Sequence, residues 1–376
     1  MQKIKTIIFS FLMLGFIAVI SGCNFGTKVD TNGDEGNNNG SGNQSKGPFT
    51  VECNELETFL SGLERTTKSE PYEIIVSHPV KGVLGPAIAA NDSRKYLRLS
   101  FTNYTEDSSI NYAAYTEMDY IGIDYSLISI VIPKTVISME NNETFYLCFN
   151  LEKIEVETDN PKFSSKDGVL YSDNETHLLR YPKSKKDLEF KIPDMVEYLD
   201  DLAASGNDYL TKIIINPGLK YIDGFTFSGC SSIKEFKTDS TVANKKYIDI
   251  DGVLFDDQNK IMYAYPANKD GKEYTVPDGI KKIETYSFYE SQNLEKVILS
   301  DQVTKIYSLA FNYCDKLLSI VIPVSVTTIE DEAFRSCDNL TNIYYRGTQE
   351  QWNAINKSNN MCKDINFPTI TYNYSN

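Results

Sequence analysis

The sequence predicts an α/β repeat protein rich in β-structure, a solenoid of 23-residue units with a parallel β-ladder and inserted β-hairpins. Three observations lead there. Apolar residues recur at a fixed period between Leu127 and Leu340, and a period of roughly 20–50 residues is the mark of stacked supersecondary units. Within a unit they alternate, as in Ile320-x-Ile322, which reads as a short strand with one buried face. Proline closes several of these strands, at Pro133, Pro193 and Pro323, where its missing N–H costs the ladder nothing.

Composition narrows the function classes before any element is placed. The 376 residues are 41% hydrophobic, enough for a sizeable core. A formal net charge of −15 argues against nucleic acid and against an anionic membrane surface as partners, because phosphate binding needs a basic face. Two histidines and one tryptophan leave little material for histidine catalysis or zinc.

Taken in order, residues 1–22 read as a signal peptide. Lys3 and Lys5 precede an apolar run from Ile7 to Ile20 that is too short for a comfortable membrane span. Its ending, Ile20-Ser21-Gly22-Cys23, resembles a bacterial lipobox, so Cys23 is the expected lipidation site. Acyl chains there would anchor the protein at a membrane through lipid alone; the simpler alternative is a secretory signal cleaved nearby. Residues 23–47 carry the lipidated cysteine and then a Gly-, Asn- and Ser-rich flexible tether. Within it Asp30, Asn32 and Asp34 imitate the start of a calcium loop, but Glu35 stands where glycine is required and Ser41 where a bidentate glutamate is.

Residues 121–345 hold the repeats. One unit runs through Leu317, Ile320, Ile322, Pro323, Val326, Ile329, Ala333, Phe334, Cys337 and Leu340, and the preceding unit repeats it at Leu294, Val297, Leu299, Val303, Ile306, Ala310, Phe311 and Cys314. The Val-xx-Ile stretch reads as a second short extended segment and Ala-Phe-xx-Cys as a tight turn. No unit can bury its own apolar face, so units stack sideways with strands about 4.8 Å apart.

The pattern Leu-xx-Ile-x-Ile-Pro-xx-Val-xx-Ile-xxx-Ala-Phe-xx-Cys resembles the leucine-rich repeat of BspA-like, or treponemal-type, bacterial surface proteins. That resemblance implies a curved leucine-rich repeat solenoid. It also accounts for two insertions, Asp167–Pro182 and Asp251–Pro266, each of which reads as a hairpin projecting from the array. Residues 346–376, opening on Arg346-Gly347-Thr348, are similar to the family's C-terminal cap. Residues 48–120 are then the N-terminal cap region, with a helix near Leu56–Leu63.

Candidate chemistry is sparse. Cys148, Cys230, Cys314 and Cys337 share one repeat position with Asn207 and Ser291, which suits small buried side chains rather than metal or catalysis; Cys314 and Cys337 lie one rung apart and could oxidise. His78 and His177 fall in different modules, and no catalytic set, metal site or cofactor motif is evident. What remains is surface. Val131, Ile214, Ile298, Val321 and Tyr344 occupy outward strand positions and form a candidate binding stripe, unless they merely support pairing across the ladder. The resulting expectation is a non-enzymatic, exported, lipid-anchored protein at the outer membrane or cell surface. It would bind a protein or glycan on host or neighbouring cells in adhesion. A periplasm-facing envelope scaffold is the alternative, and a glycan or peptide hydrolase the third reading.

Overall fold

The computed structural model describes residues 46–102, 115–140, 143–172, 174–243 and 245–375. Cys23, the signal segment and most of the tether lie outside the described residues. Each repeat contributes one strand to each of two ladders. The first ladder takes the Leu-xx-Ile-x-Ile strands and comes in three stretches. Leu127–Ile132 pairs with Lys153–Val156, Lys212–Ile215 lies between Glu189–Lys191 and Glu235–Thr238, and Ser319–Ile322 lies between Lys296–Ile298 and Asn342–Tyr345. All of these pairings are parallel and in register, so equivalent side chains stack. The second ladder takes the short Val-xx-Ile segments, such as Lys282–Ile283, Lys305–Ile306 and Thr328–Ile329. Two residues suffice for such a strand because the apolar one, for example Ile306, is fully buried between rungs.

The insertions do not project. Val169–Ser172 pairs antiparallel with Phe163–Lys166 on one edge and with His177–Arg180 on the other, and His177–Arg180 then joins the second ladder beside Tyr198–Leu199. Tyr247–Ile250, Val253–Asp256 and Ile261–Ala264 repeat this arrangement. Asp167-Gly168 and Asp251-Gly252 turn the first hairpin of each insertion with positive φ at both residues, the backbone that two-residue hairpins favour. The expectation of free hairpins fails because the middle strands are apolar on both faces. Val169 and Tyr171 pack into the core that follows while Leu170 packs into the core that precedes. Val253 and Phe255 likewise face onward and Leu254 backward. Each insertion is therefore a partition across the solenoid, and the apolar interior falls into three segments.

The N-terminal region continues the first ladder. Phe49–Glu52, Tyr72–Ser77 and Leu97–Thr102 pair in parallel and lead into Leu127–Ile132, with one register shift at Leu97 and Arg98. Helices Leu56–Gly62 and Leu84–Ala89 supply the crossovers and bury Leu56, Leu60, Leu84 and Ile88. At the other end helix Gln349–Ala354 carries a capping box on Thr348 and Gln351. Its Trp352 lies edge-on to Tyr345, ring centroids 5.2 Å apart. Thr369–Thr371 and Asn356–Lys357 then close the two ladders.

Between the ladders the Ala-Phe-xx-Cys turns stack their rings. Phe311 is parallel to Phe288 at 4.6 Å and to Phe334 at 5.2 Å. The recurrent cysteines are free and buried. Three of the thiols donate to a carbonyl of the rung before, Cys230 to Ala204, Cys314 to Phe288 and Cys337 to Phe311. Asn207 can replace cysteine because its amide donates to Pro182 and Lys185 carbonyls in the same direction. The position asks for a compact donor, and sulfur chemistry is incidental to it.

Candidate functional site

The expected stripe divides when placed on the structure. Val131, Ile214 and Tyr344 are half-exposed, whereas Ile298 is only 8% exposed and Val321 not at all. The two corrections have one cause. Val321 sits in register between Ile298 and Tyr344, and the Tyr344 ring packs tilted against Tyr374, centroids 4.5 Å apart. A small β-branched residue flanked one strand-spacing away by larger ones loses its contact with water. The three exposed members also stand in three separate sheets. Ile214 has Lys191 and Lys237 as cross-strand neighbours, and Val131 has Glu155.

Charge pairing dominates the rest of that face. Lys212 Nζ lies 2.9 Å from Glu189 and 3.9 Å from Glu235, and Lys296 lies 3.1 Å from Glu273. Alternating signs in an in-register ladder remove like-charge contacts between rungs, although exposed pairs of this kind add little stability. Such a face is self-satisfied.

A different surface, on the Ala-Phe-xx-Cys turns, gathers the aromatic rings. Phe225 packs on Tyr286 at 4.4 Å, Tyr286 on Tyr289 at 5.4 Å, and Tyr289 on Tyr313 at 6.0 Å. All four are half-exposed. Burial pushes the Tyr286 and Tyr289 phenols up and does the same to the Glu290 carboxyl. Asp201 is raised first by burial and then by repulsion from Asp223. The backbone holds these side chains at some cost. Glu290 and Tyr313 have φ of 52° and 57° at the turn position that Gly206 and Gly229 fill in other rungs, and Tyr286, with φ of 58°, shares the other left-handed turn position with Leu202, Leu309 and Glu332. A side chain in that region costs roughly 1–2 kcal/mol relative to glycine, and because Leu202, Leu309, Glu332 and Ser336 hold the same backbone at equivalent positions the cost belongs to the repeat turn itself. The sequence pattern shows these segments only as tight turns. The signal passed over was the aromatic bias just before and after the buried phenylalanine, at Tyr146, Phe225, Tyr286, Tyr289 and Tyr313.

Lys183 ends this surface. Its ammonium lies 4.2 Å from the Tyr146 ring centre and 4.5 Å from that of Phe149, and it makes no ion pair among the described residues. Burial, with the neighbouring Arg180 guanidinium, lowers it to about 8 from 10.5. The folded state therefore disfavours the charged form. Its penalty is complete below pH 8 and fades as the pH rises toward 10.5, where the unfolded chain also loses its proton. Lys183→Met is expected to stabilise the protein by about 1–3 kcal/mol at pH 7, with the gain shrinking between pH 8 and 10.5. Urea melts of both chains across that range test it; a pH-independent difference would assign the effect to packing alone.

The histidines pair separately. His78 Nδ1 lies 2.9 Å from Glu52 and His177 Nδ1 lies 2.8 Å from Asp200, in different parts of the array. The two pairs stand in different modules and so do not combine into one constellation.

Residues 183–250 and 260–376 match the BspA type leucine rich repeat region, in six copies. Among solved structures the chain is similar to the pneumococcal vaccine antigen PcpA, at 21% identity over 78% of this chain and 67% of that one, with a TM-score of 0.46. A leucine-rich repeat protein from Eubacterium ventriosum is similar at 20% identity over 81% of this chain and 77% of that one, TM-score 0.45. A leucine rich cell surface protein from Faecalibacterium prausnitzii gives 22% identity over 66% and 88% of the two chains, TM-score 0.33. No curated protein matches by sequence.

Proposed function

From a chain whose repeats belong to the BspA-type leucine-rich repeat family, we propose a lipid-anchored cell-surface protein that binds other macromolecules, in adhesion to host or neighbouring cells. One observation carries this reading. Successive rungs bring Phe225, Tyr286, Tyr289 and Tyr313 to one face, an extended surface suited to a protein or glycan. Aromatic rings supply much of the binding energy at such surfaces. The lipobox at Ile20–Cys23 and the tether that follows supply the membrane attachment. Neither enzymatic chemistry nor a cofactor enters the proposal.

Two measurements on cells test it. Metabolic labelling with a fatty acid should mark the wild type, and Cys23→Ala should lose both the label and the membrane fraction; an unlabelled wild type overturns the anchor. Protease added to intact cells should cut within residues 24–47 and release a compact fragment. Protection until the envelope is ruptured would instead support the periplasm-facing scaffold. On the same cells Tyr286→Ser with Tyr313→Ser should abolish attachment while the fold persists, and unchanged attachment would remove the turn face from consideration.

A further inference from the structure

Each insertion interrupts the second ladder and leaves the preceding strand with an open edge. In Tyr221–Ile222 the amides of Tyr221 and Asp223 donate to Glu197 and Leu199, so the N–H and C=O of Ile222 point the other way, toward the insertion. Two tyrosines of the second insertion meet them. The Ile222 N–H donates to Tyr247 Oη at 3.1 Å, and Tyr263 Oη donates to the Ile222 carbonyl. Side-chain hydroxyls thus stand in for a missing strand.

The first insertion has the same backbone and different side chains. The amides of Ser138 and Glu140 donate to Thr116 and Met118, which turns the N–H and C=O of Met139 toward the insertion. Tyr247 and Tyr263 flank the turn that starts at Asp251, and at equal spacings from Asp167 stand Phe163 and Leu179. Both hydroxyls are gone, and a cavity of about 130 Å³ lies there, lined by Met139, Phe163, Leu170, Leu179, Arg180 and Asp200 among others. A cavity of roughly 150 Å³ accepts benzene.

We infer that this cavity is a binding site for a small phenol. Its ring takes the place that the Tyr263 ring fills in the second insertion, and its hydroxyl donates to the Met139 carbonyl as Tyr263 does to Ile222. A purely apolar ligand fits the walls but would shut the polar edge of Met139 away from water without a partner, which is costly. The chemistry that the second insertion carries covalently is, at the first, supplied by a ligand. This inference concerns the second-ladder side of the array and is independent of the adhesive face.

Titration of the full chain with p-cresol and with toluene, read by calorimetry and by melting temperature, tests it. Saturable p-cresol binding is expected, with toluene at least ten-fold weaker. Leu179→Tyr, which returns the ring and hydroxyl from the chain itself, should abolish p-cresol binding and raise the melting temperature without ligand. Absence of p-cresol binding to the wild type, toluene binding as tight as p-cresol, or a folded Leu179→Tyr that keeps its p-cresol affinity would each overturn the inference. The comparison of the two ligands on the wild-type chain decides it alone should the variant fail to fold.

Discussion

Replacing Phe311 by Ala is expected to cost about 3–5 kcal/mol, the range for emptying a buried aromatic site. Phe311 is fully buried between the parallel rings of Phe288 and Phe334, so neither neighbour can move into the gap without abandoning the other. The loss should also spread unevenly. Stability in a repeat array is a sum of unit and nearest-neighbour interface terms, and the partition strand Val253–Asp256 separates this core segment from the one before it. Amide exchange should accelerate in the rungs around Phe288, Phe311 and Phe334. Amides of Lys212–Ile215 and Tyr198–Leu199, beyond the partition, should keep their protection. A uniform loss of protection along the chain would show that the partitions do not divide cooperativity, and a cost below about 1.5 kcal/mol would show that the stack repacks.

The second large effect is expected at Val321. From the sequence it is an outward position where glutamate should cost within about 0.5 kcal/mol, yet in the structure its side chain has no exposure. Val321→Glu should therefore destabilise by several kcal/mol at pH 7, because a carboxylate is placed out of water without a cationic partner. The sign with pH is opposite to that of Lys183. A buried carboxyl has a folded-state pKa above its unfolded value, so the penalty is full at high pH and is relieved as the pH falls through the folded value. Melting temperatures of Val321→Glu and Ile214→Glu from pH 4 to pH 8 make the comparison. Ile214 is half-exposed between Lys191 and Lys237, and its variant should stay near the wild type throughout. Equal behaviour of the two variants would refute the burial argument.

Tyrosine hydroxyls at the second insertion, and their absence at the first, illustrate how far local pattern reaches. Val169-Leu170-Tyr171 and Val253-Leu254-Phe255 were legible as strands, being short and rich in β-branched and aromatic residues. That they cross the interior was also latent in the sequence, since a strand apolar on both faces cannot lie against water on either. The partnership of Tyr247 and Tyr263 with Ile222 was not legible, because it joins residues 25 and 41 positions apart that no common period relates.

By itself the sequence determined the repeat unit, its two strands and its turn, the buried phenylalanine and cysteine positions, and the lipobox motif at Cys23. These follow from spacing within one unit, where alternation and the turn residues act over a few bonds. Only the tertiary structure decided which outward residues meet water. The exposure of Val321 is set by Ile298 and Tyr344, one from each adjoining rung, and that of Tyr286 by Phe225 and Tyr289. A side chain's solvent contact is a property of its neighbours in register, and in a stacked array those neighbours come from other units.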